Sequence, residues 1–130
     1  MNPASEPSLA VGHAAEREAE AFLRTKGLKP LGRNLRAGRG EIDLLMQAGK
    51  TLVFVEVRAR KSGAAVAACE TITAKKRQRV VQTANQWLQQ HPEWQQYPCR
   101  FDVVAITLNP ADGQQNTVHW LPDAFDGSAT

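Results

Sequence analysis

Two runs decide the fold: Glu41-Ile-Asp-Leu-Leu-Met46 and Thr51-Leu-Val-Phe-Val-Glu-Val-Arg-Ala-Arg60, with only Gln47-Ala-Gly-Lys50 between them. Both are rich in β-branched and large apolar residues, and the break is short enough to join two strands into a hairpin. Side chains two apart share a face of a strand. Glu41 and Asp43 therefore point together, as do Glu56, Arg58 and Arg60, while Val53, Val55 and Val57 take the opposite, apolar side. The acids keep unusual company, because Asp43 stands between Ile42 and Leu44, and Glu56 between Val55 and Val57. A carboxylate among such neighbours is costly to desolvate unless a cation or a set of donors meets it. Two arrangements would do so. One is a nest for Mg²⁺, which takes hard oxygen ligands and keeps several waters. The other is a ladder of ion pairs on an exposed sheet face. The spacing is compatible with both.

Working outward, Ala15, Ala19, Phe22 and Leu23 form one apolar stripe at helical spacing and Gly27 can close the turn, which predicts a helix over 9–26. Residues 28–36 alternate weakly and lead into the turn material at 36–40. Residues 62–68 are small and form a loop suited to ordering against a ligand. A second helix begins near Thr73, carries the stripe Val80, Val81, Ala84, Trp87 and Leu88, and stops at Pro92. Residues 101–108 are almost continuously apolar, as in a buried strand where Asp102 accepts hydrogen bonds, and 118–121 add an edge strand. The order α-β-β-β-α-β, with one more strand at the end, predicts an α/β protein: a mixed β-sheet flanked by helices. One domain is expected over 9–121, preceded by a loose arm at 1–8 and followed by an acidic tail at 122–130.

The chain has 130 residues, of which 42% are apolar and 22% charged. That composition excludes disorder, collagen and coiled coil. No apolar run approaches the roughly 20 residues of a membrane span, and no basic patch followed by an apolar stretch marks a secretory signal, so a cytoplasmic protein is expected. Cys69 and Cys99 lack metal-ligand spacing and are read as reduced, partly buried thiols. His13, His91 and His119 are scattered, without ligand spacing. Trp87 belongs to the core by periodicity, and packing is the better role for Trp94, Tyr97 and Trp120 than base stacking.

Charge is more informative than its total. The net +3 divides into +3 over residues 1–40, 0 over 41–70, +4 over 71–100 and −4 over 101–130. One basic face meeting an anionic partner fits this asymmetry, with nucleic acid the first candidate and an acidic protein another. Lys75, Lys76, Arg77 and Arg79 crowd the first two turns of the second helix, where the helix dipole disfavours cations. Lys75, Lys76 and Arg79 fall on one flank. A helix start with such a flank is a ready phosphate site, and a solvated basic face is the plainer alternative.

The hairpin sequence resembles the D…(D/E)-x-K core of the PD-(D/E)xK nuclease superfamily. More closely, the chain resembles the YraN-like family of small bacterial proteins, related to archaeal Holliday junction resolvases. The similarity rests on Gly12-His-Ala-Ala-Glu16 with Ala19, on Arg33-Asn34, on the hairpin, on Thr73 and Lys76, and on Arg100-Phe-Asp-Val-Val104, spanning roughly 11–121. It implies a restriction-endonuclease-like fold in which Asp43, Glu56 and the Val57 carbonyl hold Mg²⁺ or Mn²⁺, with Glu16 approaching from the first helix. It further implies a metal-dependent endonuclease on branched or single-stranded regions of DNA, with Arg58 on the scissile phosphate. Arg33, Asn34, Arg39, Arg60, Lys76 and Arg79 would then position the backbone. A two-fold dimer would suit a junction-like substrate. Glu16 also reads as an exposed helix carboxylate pairing with a neighbour. One departure matters: Arg58 stands where the superfamily has lysine, and a guanidinium that stays protonated can clamp a phosphate but cannot deprotonate water. A base would then be metal-bound hydroxide or a second carboxylate such as Glu41. A nucleic-acid-binding module that has lost catalysis is the alternative.

Overall fold

In the computed structural model, residues 9–61, 73–109 and 115–125 are described. Helix α1 (Leu9–Thr25) leads into β1 (Lys29–Ala37), β2 (Gly40–Ala48) and β3 (Thr51–Lys61). Helix α2 (Ala74–Gln90), a 3₁₀ turn (Pro92–Trp94), β4 (Cys99–Leu108) and β5 (Thr117–Phe125) complete the order. The strands form one sheet in sequence order, antiparallel throughout except where β3 and β4 run parallel. Helix α2 lies in the connection between those two strands, since a parallel pair needs a long crossover. The α/β class, the flanking helices and the element order are those expected from the sequence.

The sheet is apolar on both faces. Against α1, Ala15, Ala19 and Leu23 pack on Leu44, Met46, Val53, Val55, Val104 and Ile106. Against α2, Val80, Val81, Ala84 and Trp87 pack on Ile42, Leu45, Leu52, Phe54 and Val103. The face of β3 opposite Val53 and Val55 is therefore not an exposed ladder, because Leu52 and Phe54 are as buried as the valines. Only its Glu56 end is charged. Helix α2 starts where the sequence places it: the Thr73 hydroxyl caps the helix by accepting from the Lys76 amide.

Two expectations change. Residues 29–37 form the first strand of the expected order, at the sheet edge, and its weak alternation reflects Pro30, the register shift between Pro30 and Gly32, and the left-handed Asn34 (φ 52). Strand β5 continues four residues past 121, so the domain takes in Pro122–Phe125 and the acidic tail does not begin at 122. Phe125 stacks on Phe101, and the left-handed Asp123 donates its amide to Asp102. That carboxylate is wholly buried and also accepts from Arg100 and from Trp120 Nε1, a compact network that fastens β5 to β4. Cys99 is exposed rather than partly buried. The arm at 1–8, the loop at 62–68, Cys69 and residues 126–130 lie outside the described residues.

Among the described residues no helix is long and apolar enough to cross a membrane. The aromatics pack as expected: Trp120 meets Phe22 edge-on, and Trp94 leans on Tyr97. His91 stacks on Trp87 and its Nδ1 bonds the Trp87 carbonyl.

Candidate functional site

Strands β2 and β3 pair from Ala48↔Thr51 to Leu44↔Val55, and the register goes no further. On its other edge β3 stays paired with β4 as far as Lys61↔Leu108. Beyond Val55 the two strands therefore part, and a side chain replaces the missing backbone acceptor: Asp43 Oδ2 takes the Val57 amide at 2.9 Å. A cavity of about 560 Å³ opens at this fork, and Glu16, Asp43, Glu56, Arg58, Arg60 and Lys76 face it. A second recess of about 260 Å³ shares Asp43, Glu56 and Lys76 and adds Arg39, Glu41 and Arg79. The acid pair thus sits at the junction of two recesses, each with its own cations.

The charge balance at the fork is poor. Burial pushes the Asp43 carboxyl up to about 8. Repulsion from Glu56 adds to this, and Glu16 contributes more weakly, whereas the Val57 amide and Lys76 pull in the opposite direction. The Glu56 side chain is only 8% exposed and meets Lys76 Nζ at 3.0 Å. Lys76 reaches it from the first turn of α2, where the helix dipole is unfavourable to a cation, so the buried glutamate is what compensates that placement. Arg58 Nε is buried with no hydrogen-bond partner. The Arg60 guanidinium donates to the Ala59 carbonyl at 3.2 Å.

Gly40 sets the mouth of the smaller recess. A Cβ there would collide with the Thr83 hydroxyl of α2, which itself donates to the Arg79 carbonyl. Only glycine lets the start of β2 approach the helix this closely.

The structure gathers Glu16, Asp43, Glu56, Val57, Arg58, Arg60 and Lys76 around one cavity, and Arg39 and Arg79 at the adjoining recess. It does not present Arg33 and Asn34 as free groups for a nucleic-acid backbone. Arg33 pairs with Glu20 at 3.2 Å. Asn34 Nδ2 donates to Glu16 Oε1 and to Glu41 Oε2, each at 2.9 Å. Both thus engage α1. Glu41 is exposed, bound to Asn34 and 3.9 Å from Arg36. Sequence reasoning had no signal for the Asn34 bridge or the Lys76–Glu56 pair, because both are made by elements distant in the chain.

Among the described residues no three His, Cys, Asp or Glu side chains are gathered as a metal-holding group. A hard divalent ion at the fork would meet a smaller set, the Asp43 and Glu56 carboxylates that face the cavity, with the backbone of Val57 beside them and water completing the shell. Mg²⁺ is commonly held by one or two carboxylates, and a dication would relieve the repulsion that raises Asp43. Glu16 borders this set while tied to Asn34.

Among solved structures the chain is similar to Pyrococcus furiosus SfsA in complex with Ca²⁺, at 12% identity and a TM-score of 0.33, over 81% of this chain and 58% of that one. Sequence relatives are much nearer. A UPF0102 protein of Pseudomonas aeruginosa is 48% identical over 116 residues, 88% of this chain and 91% of the relative. One from Hahella chejuensis is 45% identical over 118 residues, 91% of each chain. One from Ectopseudomonas mendocina is 43% identical over 116 residues, 89% of this chain and 94% of the relative. Residues 15–106 match the family described as Uncharacterised protein family UPF0102. That span takes in Glu16 and the rest of α1 beyond it, the fork and α2, and the chain belongs to UPF0102, the YraN-like family.

Proposed function

We propose that the protein is a divalent-metal-dependent endonuclease that hydrolyses phosphodiester bonds in structured or branched DNA. The observation that carries this reading is the fork itself, where Asp43 and Glu56 face one cavity beside Arg58, Arg60 and Lys76. Asp43 and Glu56, with the Val57 carbonyl, would hold Mg²⁺ or Mn²⁺. Such an ion, when bound, lowers the pKa of a coordinated water and offsets charge developing on the phosphate. The protein's own part is to orient and to neutralise. Arg58 lines the same cavity, and its guanidinium would donate to a non-bridging phosphate oxygen, a charge-assisted contact that helps where charge builds up. Arg60 and Lys76 on one side, with Arg39 and Arg79 on the other, would hold flanking phosphates. The preference for branched or single-stranded regions comes from the resemblance to junction resolvases.

A second reading has a specific observation in its favour: Arg58 stands where the superfamily core has lysine, and a guanidinium is no general base. In that case the same groove binds nucleic acid without cutting it. Incubation with flap, four-way junction and single-stranded DNA separates the two. The endonuclease nicks these in Mg²⁺ or Mn²⁺, and Asp43→Asn and Glu56→Gln abolish nicking while binding survives. Absence of cleavage with every divalent ion, together with affinity that falls steeply with salt, would establish the binding module instead.

A further inference from the structure

Asn34 is the only described residue of β1 with a left-handed backbone, and its φ of 52 lies in a region that side chains other than glycine rarely adopt. It stands opposite Asp43, in the one gap between the pairs Arg33↔Leu44 and Leu35↔Ile42. One amide nitrogen serves two acids from different elements, Glu16 of α1 and Glu41 of β2. Glu16 faces the cavity of Asp43 and Glu56, whereas Glu41 belongs to the adjoining recess. Without the shared donor, two carboxylates would face each other across the edge of the sheet, and Glu16 would be driven from the fork. Strained backbone kept at such a place is a pointer to function.

We infer that Asn34 is a positioning residue that acts through Glu16, holding this carboxylate at the edge of the Asp43–Glu56 pair so that it orients the hydration shell of a divalent ion bound there. The inference rests on the metal reading above. Groups that orient ligands and bound water from outside the coordination sphere typically govern metal affinity by about 10- to 100-fold. Asn34 thus belongs to the metal site, and its role is not to touch DNA.

The test is Mn²⁺ titration by calorimetry on the full chain, comparing the parent with Asn34→Gly, Glu16→Ala and the double variant. Glycine accepts the left-handed backbone, so Asn34→Gly is expected to fold, and Glu16→Ala, at a half-buried position of α1 outside its apolar stripe, gives a second route to the same answer. Each single change is expected to weaken Mn²⁺ binding about tenfold, and the double variant by no more than Glu16→Ala alone, because both act through one group. Parent-like affinity in Asn34→Gly, or losses that multiply in the double variant, would overturn the role of Asn34 while leaving the metal site intact. A parent that binds no Mn²⁺ would overturn the metal reading and this inference with it.

Discussion

The hairpin of β2 and β3 has two ends built from nearly the same kind of sequence. At the closed end, Leu44–Ala48 pairs with Thr51–Val55, and Leu44, Met46, Leu52, Val53 and Phe54 are almost completely buried. At the open end, Asp43 and Glu56 are still flanked by apolar residues in sequence, yet the ladder has ended and a carboxylate replaces a strand partner. The closed end stabilises the fold by burial. The open end brings like charges together and gains only the Val57 bond and the Lys76 pair. Stability and proposed chemistry are thus separated by one step along the same two strands.

The largest effect is expected at the closed end. Phe54→Ala removes a ring stacked on Phe101 and edge-on to Trp87, and is expected to cost about 3–5 kcal/mol in urea unfolding. At the open end, Asp43→Asn is expected to lower the nicking rate at least about 100-fold, yet to raise the thermal midpoint at neutral pH, because the amide folds without the cost of burying or protonating a carboxylate beside Glu56. The pH dependence has a definite sign. With a carboxyl at about 8 in the fold and 3.8 as its ordinary value, the folded chain holds a proton in that window that the unfolded chain has released. The contribution of Asp43 is therefore favourable below about 4 and is lost as pH rises toward 8, by up to about 1.4 kcal/mol per unit. Urea midpoints of the parent should fall across that range more steeply than those of Asp43→Asn. Equal slopes would show that the fork does not perturb its acid.

Smaller effects sharpen the picture. Lys76→Met removes the ammonium that competes for Glu56, and calorimetry should show Mn²⁺ binding tighter by about fivefold, on the scale of a partly exposed ion pair. The same change should weaken DNA binding. Arg79→Ala and Arg39→Ala should each flatten the dependence of log affinity on log salt by about one phosphate contact, with no loss of stability.

Much of the fold was legible because its central elements follow simple periods. The stripe of Ala15, Ala19 and Leu23, the alternation in β3 and the Thr73 cap each need only local rules. The edges of the sheet were harder to read. Pro30, Gly32 and Asn34 weaken the alternation of β1, and Pro122 with the left-handed Asp123 makes the end of β5 look like tail until the Asp102 network is seen. Prolines and breaks are what edge strands use to avoid pairing with other chains, so the signal that hid them has a physical cause. In the site, the acids and cations of the hairpin and of α2 were visible as residue types out of place. The partnerships of Arg33 and Asn34 with α1 were not, because burial and pairing across 13 to 18 residues of chain leave no periodic trace.

Anomalous diffraction from crystals grown with Mn²⁺ puts the fork to the test. One strong peak is expected there, within coordination distance of both Asp43 and Glu56 and beside the Val57 carbonyl, and it should disappear in Asp43→Asn. A peak elsewhere, or no peak while Lys76 stays on Glu56 at saturating Mn²⁺, would contradict the metal reading.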